Sequence, residues 1–323
     1  MIKKLGCIFI FGLIILILLA GYILYDNSRV VVVEQNIEIE NLDPSFDGFT
    51  ILQISDLHSA LFGKNQERLI NLLNSLQYDM IAINGDVVDR QDENILPFLE
   101  LLGNIPDKQI IFYADGNVGQ PGLDSLSGAK TDFGLMLEKE GCYLLDRPNM
   151  IFRGDHHIWV SGFFVNTQAE NKITHAQDIL KNETNPEEIK NQNAIINYQQ
   201  DLIRIYKDIP ASEVLIGITH YPLSPDQLDN PVPEAFPIFD LILAGHYHGG
   251  QIRIPFVGAI YIPEPSLDRF FPPEKIVSGL YQGKLTQQFI TRGLGASSTV
   301  PDLNFRLFNP PEINLITLLP EKN

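Results

Sequence analysis

Seven side chains able to ligate a cation stand just beyond short apolar runs of this sequence. Asp56 and His58 follow Thr50–Ile54, Asp86 follows Met80–Ile83, and Asn117 follows 109–114; His220 follows 214–219, while His246 and His248 follow Leu241–Ala244. Each run reads as a buried strand bounded by polar or glycine-containing turns. In α/β sheets the loops leaving the carboxyl ends of strands meet in one crevice, so a single shared site is the economical expectation. Carboxylate, imidazole and carboxamide without thiolate suit Mn, Fe or Zn, and seven ligands are too many for one tetrahedral ion. Two divalent ions fit better. A pair about 3.5–4 Å apart stabilises both the attacking and the leaving oxygen of an in-line displacement at phosphorus, which makes phosphoester hydrolysis the natural chemistry of the set. Taken singly, Asp-x-His, Gly-Asp and Gly-Asn are ordinary turn sequences. Their common placement after strands is what outweighs a structural reading.

The elements that must position these groups alternate in type. Between the first two strands, Asn65 is placed to cap a helix with Leu69, Ile70, Leu72, Leu73 and Leu76 on one face. A second helix over 95–102 precedes the third strand, giving the α/β layering of parallel sheets. Segments 30–33 and 37–39 read as β, and residues 158–160 as a further buried strand. Residues 166–212 are rich in Asn, Gln, Glu and Lys; Asn185-Pro186-Glu187-Glu188 opens a helix with Ile195, Tyr198, Leu202 and Ile205 inward, a helical excursion on the same domain. The Pro- and Gly-rich final third, ending in the β-like run 313–319, is expected to supply a second sheet.

Composition bounds the partners. The chain has 323 residues, 45% of them hydrophobic, which excludes a disordered chain. Its net charge is −17, and residues 1–29 hold Lys3, Lys4 and Arg29 against Asp26, leaving −19 on the remainder. A body so acidic repels polyphosphate, so no nucleic acid is expected as a partner. Cys142 is alone in the body and Cys7 lies in the apolar N-terminus, so no disulfide forms within the body. Residues 5–25 carry no charge and are long enough to cross a hydrocarbon layer of about 30 Å. Lys3 and Lys4 precede the span, which keeps the N-terminus cytoplasmic and sends the body outward. The span exceeds a usual signal-peptide core, and 19–22 lacks the cysteine of a lipoprotein site, so a retained anchor over 1–29 and one domain over 30–323 are expected.

In order, Asp56-Leu57-His58, Gly85-Asp86, Gly116-Asn117, His220 and Gly245-His246-Tyr247-His248 resemble the D-x-H, G-D, G-N, H and G-H-x-H pattern of the calcineurin-like metallophosphoesterases. Ser55 before Asp56, the run GHYHGGQ over 245–251, Arg292-Gly293-Leu294-Gly295 and Pro310-Pro311-Glu312-Ile313 look like the bacterial membrane-anchored or exported branch. The resemblance covers about residues 30–320 and implies a four-layer αββα sandwich with a di-metal site at one edge. It further implies that Asp56, His58 and His248 hold one ion, that Asn117, His220 and His246 hold the other, and that Asp86 bridges them. Asp86 and Asn117 are the catalytic residues it points to.

One position departs from the pattern. Where the family places a phosphate-contacting His after the G-N pair this chain has Val118, and Gly119 replaces the usual acidic residue. An isopropyl group cannot donate a proton, and acid catalysis is worth about 10²–10⁴-fold. Three outcomes stay open: substrates with good leaving groups, a substitute acid from Tyr247, His156 or His157, or binding without turnover. His156 and His157 otherwise read as a solvated hairpin turn and His175 as surface. Arg292 reads as a phosphate fork or a structural corner, and Gly249-Gly250 as a tight turn beside the metals. Asp89 stands where purple acid phosphatases carry a tyrosine ligand, so a ferric-tyrosinate site is not expected. Leu267, Phe270 and Phe271 read equally as lipid contacts or as an edge cap. The sequence therefore predicts a membrane-anchored, extracytoplasmic di-metal phosphoesterase acting on a lipid-linked or envelope substrate. The alternatives are a catalytically weak metal-binding surface module and a nuclease of the same fold.

Overall fold

A computed structural model describes residues 2–105, 110–163, 166–230, 238–262, 269–298 and 304–322. Helix α1 (Ile2–Ser28) contains an apolar stretch, Ile8–Ser28, long enough to cross a membrane, in which Asp26 alone is buried by the rest of the chain. Strand β1 (Val31–Ile39) follows as one continuous element where two segments were expected. It stays continuous because it pairs along its whole length, from Val31 opposite Glu312 to Ile39 opposite Pro320, and Glu34 points to solvent.

Alternation then sets in, with β2 (Thr50–Ile54), α2 (Glu67–Asn74), β3 (Met80–Ile83), α3 (Leu96–Leu102), β4 (Ile110–Tyr113), α4 (Asp132–Lys139) and β5 (Cys142–Leu144). The hairpin β6 (Asn149–Arg153) and β7 (His156–Gly162) leads to α5 (Asn166–Leu180) and α6 (Pro186–Asp208). The chain continues through β8 (Leu215–Ile218), α7 (Pro225–Asp229), β9 (Leu241–Ala244) and the short hairpin β10 (Arg253–Ile254) and β11 (Gly258–Ala259). It closes with β12 (Gly279–Gln282), β13 (Gln287–Ile290) and β14 (Glu312–Pro320).

Two six-stranded sheets result, ordered β1-β14-β2-β3-β4-β5 and β12-β13-β9-β8-β7-β6. Ile51, Met80 and Phe112 of the first meet Ile216, Leu243 and Phe289 of the second in a buried interlayer. Leu52, Ile81 and Ile111 face outward under Leu69, Leu73, Phe98, Leu101 and Leu137 of α2, α3 and α4. Leu215 and Ile242 pack beneath Leu228 of α7, with Tyr206 of α6 alongside. The layers are thus αββα. Central strands are apolar on both faces because both faces are covered, which is why they read as unbroken apolar runs.

Several expectations change. Asn65 does not cap α2: it lies in a 3₁₀ turn with φ of 50°, and the cap position belongs to Gln66, with no side-chain bond to the helix. Gln66 is instead spent on the preceding loop, accepting from Phe62 N and donating to Ala60 O. The final third supplies β12 and β13 to the second sheet, yet β14 inserts into the first between β1 and β2. Ile316 and Leu318 enter the interlayer while Ile313 joins the outer core, and a strand apolar on both faces needs a central position. Asn185 caps α6 as expected, its Oδ1 accepting from Glu187 N at 3.0 Å. Ile195 and Leu202 are buried, Tyr198 and Ile205 half-buried. Gln109 and Leu267 lie outside the described residues.

Candidate metal centre

All seven predicted ligands meet at the carboxyl edge of the two sheets. Asp56 and His58 leave β2, Asp86 leaves β3, Asn117 leaves β4, His220 leaves β8, and His246 and His248 leave β9. Backbone crowding explains the small residues before them. A Cβ on Gly116 would strike the Asp86 carboxylate, and one on Gly245 would strike Ser55 Oγ and sit 2.6 Å from Asp56 Oδ2. Asp56, His58, Asp86, His246 and His248 all have φ between 45° and 72°. Such backbone costs a non-glycine residue about 1–2 kcal/mol, so the fold spends stability to aim these groups inward.

Ligand atoms face one another with little between them. His58 Nε2 and His248 Nε2 are 3.2 Å apart, and His220 Nε2 is 2.7 Å from Asn117 Oδ1 and 3.0 Å from His246 Nδ1. Asp86 Oδ2 lies 3.3 Å from His220 Nε2 and 3.6 Å from His58 Nε2, between the two clusters. Two groups satisfy the requirement of three convergent ligand atoms, Asp56–His58–His248 and Asp56–Asp86–His220, sharing Asp56. Asn117 and His246 are half-buried and adjoin the second group, which is the open side of the site.

The outer bonds leave the inner atoms free for cations. His220 Nδ1 is 2.8 Å from the Asn84 carbonyl and His248 Nδ1 3.2 Å from the Gly295 carbonyl, so each ring donates outward and turns Nε2 inward. His58 Nδ1 faces Asp89 Oδ2 at 3.3 Å, and Asp89 is itself held by Ser298 N, Ser298 Oγ and Gln91 N. Asp86 Oδ1 accepts from the Asn117 and Val118 amides, each at 2.8 Å, which turns Oδ2 inward toward His220 and His58. Donors shared among nitrogens and carboxylate oxygens in this way suit a pair of divalent ions of borderline hardness.

Electrostatics differ around the cluster. Burial, reinforced by the neighbouring Asp86 charge, raises the Asp56 carboxyl above its ordinary range. Burial opposes ionisation of Asp86 too, but the hydrogen bond and charge of His220 bring it below the usual value. His248 is held well below the ordinary imidazole range by burial and then by His58 and Arg306, so its ring is neutral and able to ligate. Asp89 lies well below the carboxylate range: burial works against ionisation, and the bonds from His58 and Ser298 overcome it.

The other candidates sort clearly. His156 and His157 start β7 and so lie at the opposite, amino end of the second sheet, paired with Asp43 at 2.9 Å and Glu213 at 3.1 Å. Neither reaches the cluster, because parallel strands put the two ends of a sheet on opposite sides of the molecule. Tyr247 is buried among Ala259, Ile262, Val277 and Ile290. Arg292 is a structural corner, its Nε and backbone amide both bonded to the Glu312 carboxylate. His175 is exposed on α5. Val118 packs toward the outer core and lines a cavity of about 340 Å³ with Val87, Val88, Tyr113, Phe133 and Met136. Among the residues that escaped the sequence reading are Asp89 as the partner of His58, Arg306 buried beside His248, and Tyr221, half-exposed with its ring 4.3 Å from that of His246. Asp89 alone left a signal, a second aspartate three positions after Asp86.

A two-sheet sandwich with carboxylates and imidazoles converging at one edge defines a metallophosphoesterase fold. Residues 49–250 match the family model described as calcineurin-like phosphoesterase, and the chain belongs to that family, whose members use two divalent metals. It is similar to the uncharacterized metallophosphoesterase YkuE of Bacillus subtilis, 24% identical over 92% of this chain and 89% of that one. It is also similar to the uncharacterized metallophosphoesterase Cj0846 of Campylobacter jejuni, 25% identical over 89% of this chain and 63% of the relative. A Danio rerio transmembrane protein with metallophosphoesterase domain is 30% identical over 33% of this chain and 25% of its own length.

Proposed function

We propose that this chain is a membrane-anchored hydrolase of phosphoesters whose catalytic domain, residues 30–323, lies outside the cytoplasm on an anchor formed by residues 1–29. The observation that carries the reading is the outward commitment of the second imidazole nitrogens of His58, His220 and His248, which leaves buried Nε2 atoms facing carboxylate oxygens at 3.3–3.6 Å. Asp56, His58 and His248 would hold one ion, Asn117, His220 and His246 the second, with Asp86 between them through Oδ2. The bound pair would supply a water activated for attack on phosphorus and positive charge against the phosphoryl oxygens. The Asn117 and Val118 amides fix the Asp86 carboxylate, and the half-buried Asn117 and His246 border the side from which a phosphoester enters. With Val118 turned to an apolar cavity, no imidazole protonates the leaving group from this position, which favours esters with good leaving groups. Anchoring makes a lipid-linked or envelope phosphoester the expected substrate.

The test uses full-length protein reconstituted with Mn, Fe or Zn and assayed on bis-p-nitrophenyl phosphate. Turnover abolished by D86N, with ion content read by elemental analysis, supports the enzyme. Full occupancy without turnover in the unsubstituted protein supports the second reading, a metal-binding module, which the loss of the acid at Val118 specifically favours.

A further inference from the structure

The last turn of α1 is built into the body of the protein. Asp26 is fully buried and accepts from Arg29 Nε and Nη2 at 3.0 and 2.7 Å. Asn27 makes two bonds to one residue 279 positions away: its Nδ2 donates to Arg306 O and its Oδ1 accepts from Arg306 N, both at 2.7 Å. The Tyr22 ring lies 5.1 Å from that of Phe308. A flexible tether would need none of these contacts. They fix the direction in which the apolar helix leaves the domain.

The segment that receives the helix also carries the β10–β11 hairpin. Arg253 N donates to Leu307 O at 3.0 Å, and Leu307 N donates to Gln251 O at 3.2 Å. The tip of that hairpin is apolar and open: Phe256 is fully exposed with φ of 67°, beside Ile254 and Val257. Phe270 pairs with Tyr261 just after β11, and Phe271 N donates to Ile260 O, so two more exposed phenyl rings stand on the same piece of backbone. Exposed Arg269 and Lys275 flank them, while Glu274 is bonded to Arg253. An apolar, aromatic surface with basic neighbours beside the exit of a membrane-length helix has the composition of a bilayer interface.

We propose that the hairpin tip, Ile254, Phe256 and Val257, together with Phe270 and Phe271, rests in the interfacial layer of the phospholipid bilayer that α1 crosses. The occupant is lipid because the backbone that carries the patch is hydrogen-bonded to Leu307, whose two neighbours, Arg306 and Phe308, receive the end of the anchor. The proposal rests on the reading of α1 as a membrane span, and it places the metal centre at the lipid surface: Arg306 donates to the Gly295 carbonyl at 2.8 Å and lies 3.4 Å from His248 Nδ1. A phosphoester held in a headgroup could then reach the site without leaving the membrane.

The test uses the full chain in phosphatidylcholine nanodiscs whose acyl chains are dibrominated, against the same discs without bromine. In F256W, and independently in V257W, the introduced tryptophan is expected to lose at least half of its added fluorescence to bromine. In F152W, at the far edge of the second sheet, the added fluorescence is expected to be unaffected. Quenching of both hairpin variants no stronger than that of F152W overturns the proposal. Flotation of the unsubstituted chain with liposomes separates the two failures: a chain that does not float refutes the anchor, whereas one that floats without quenching refutes the resting surface alone.

Discussion

The two ends of the same sheets carry the same residue types and do different things with them. At the amino end, His156 meets Asp43 and His157 meets Glu213, one imidazole to one carboxylate, partly open to solvent. At the carboxyl end four imidazoles crowd two buried carboxylates and one carboxamide, and five of those seven residues have left-handed backbone. Pairing gives each amino-end histidine a satisfied partner and costs little. The crowded end turns its imidazole nitrogens and carboxylate oxygens onto one another in a buried cluster, an arrangement suited to cations, and His or Asp content alone distinguishes neither end.

The largest expected difference between the ends is in turnover. Removing one imidazole by H248A should lower the rate on bis-p-nitrophenyl phosphate by about 10³-fold or more, the scale of losing a preorganised charge-stabilising group. H157A should stay within about twofold, as for other surface changes. Equal losses would abolish the contrast. Next in size is G245A, because its Cβ would press on Ser55 Oγ and Asp56 Oδ2. Overpacking of this kind costs about 1–3 kcal/mol. A lowered melting temperature and a rate loss of about 10²-fold are expected, whereas G154A at the amino end, whose Cβ would meet nothing but whose φ of 62° strains any L side chain, should lower the melting temperature without a rate loss. A smaller effect belongs to the outer bonds. D89N keeps the shape but removes the charge that orients His58, and metal affinity measured calorimetrically should fall by about 10–100-fold. Unchanged affinity would show that Asp89 only braces Ser298.

Much of the carboxyl end was legible in the chain because each ligand directly follows an apolar strand, and a strand of four or five residues fixes where the next side chain emerges. What escaped was long-range. Asn84 ties the sheets together, its Nδ2 donating to Thr219 O and Leu243 O at 2.8 Å while its own carbonyl receives His220 Nδ1. No local pattern marks a carboxamide for partners more than a hundred residues away. The same holds for Arg306, buried by the fold between the anchor and His248. Asn65 misled for the opposite reason: it carries a local capping signal, but Gln66 takes the loop's backbone partners and pulls the helix start past it. The placement of β14 was hidden because 313–319 states that both faces are apolar without stating which sheet will cover them.

The last and smallest prediction concerns the amino end, where a half-buried carboxylate is held by backbone amides. Asp240 precedes β9 and accepts from Leu215 N at 2.7 Å. Burial, helped slightly by the charge of Glu40, pushes its carboxyl up to about 6, against the opposing backbone bonds. An unfolded aspartate titrates near 3.9, so the folded state disfavours the ionised form. The resulting cost is full above about pH 6, fades as the pH falls through the unfolded value near 3.9, and is gone about a unit lower, where both states are protonated. D240N keeps an acceptor for Leu215 without the charge, so it should stabilise the protein by roughly 2 kcal/mol at pH 7.5 and by nothing measurable at about pH 3. Melting curves of both proteins across that range test the sign. A gain that persists at low pH, or a loss at pH 7.5, would mean that the carboxylate is used at this end as it is at the other, for a charge it must meet.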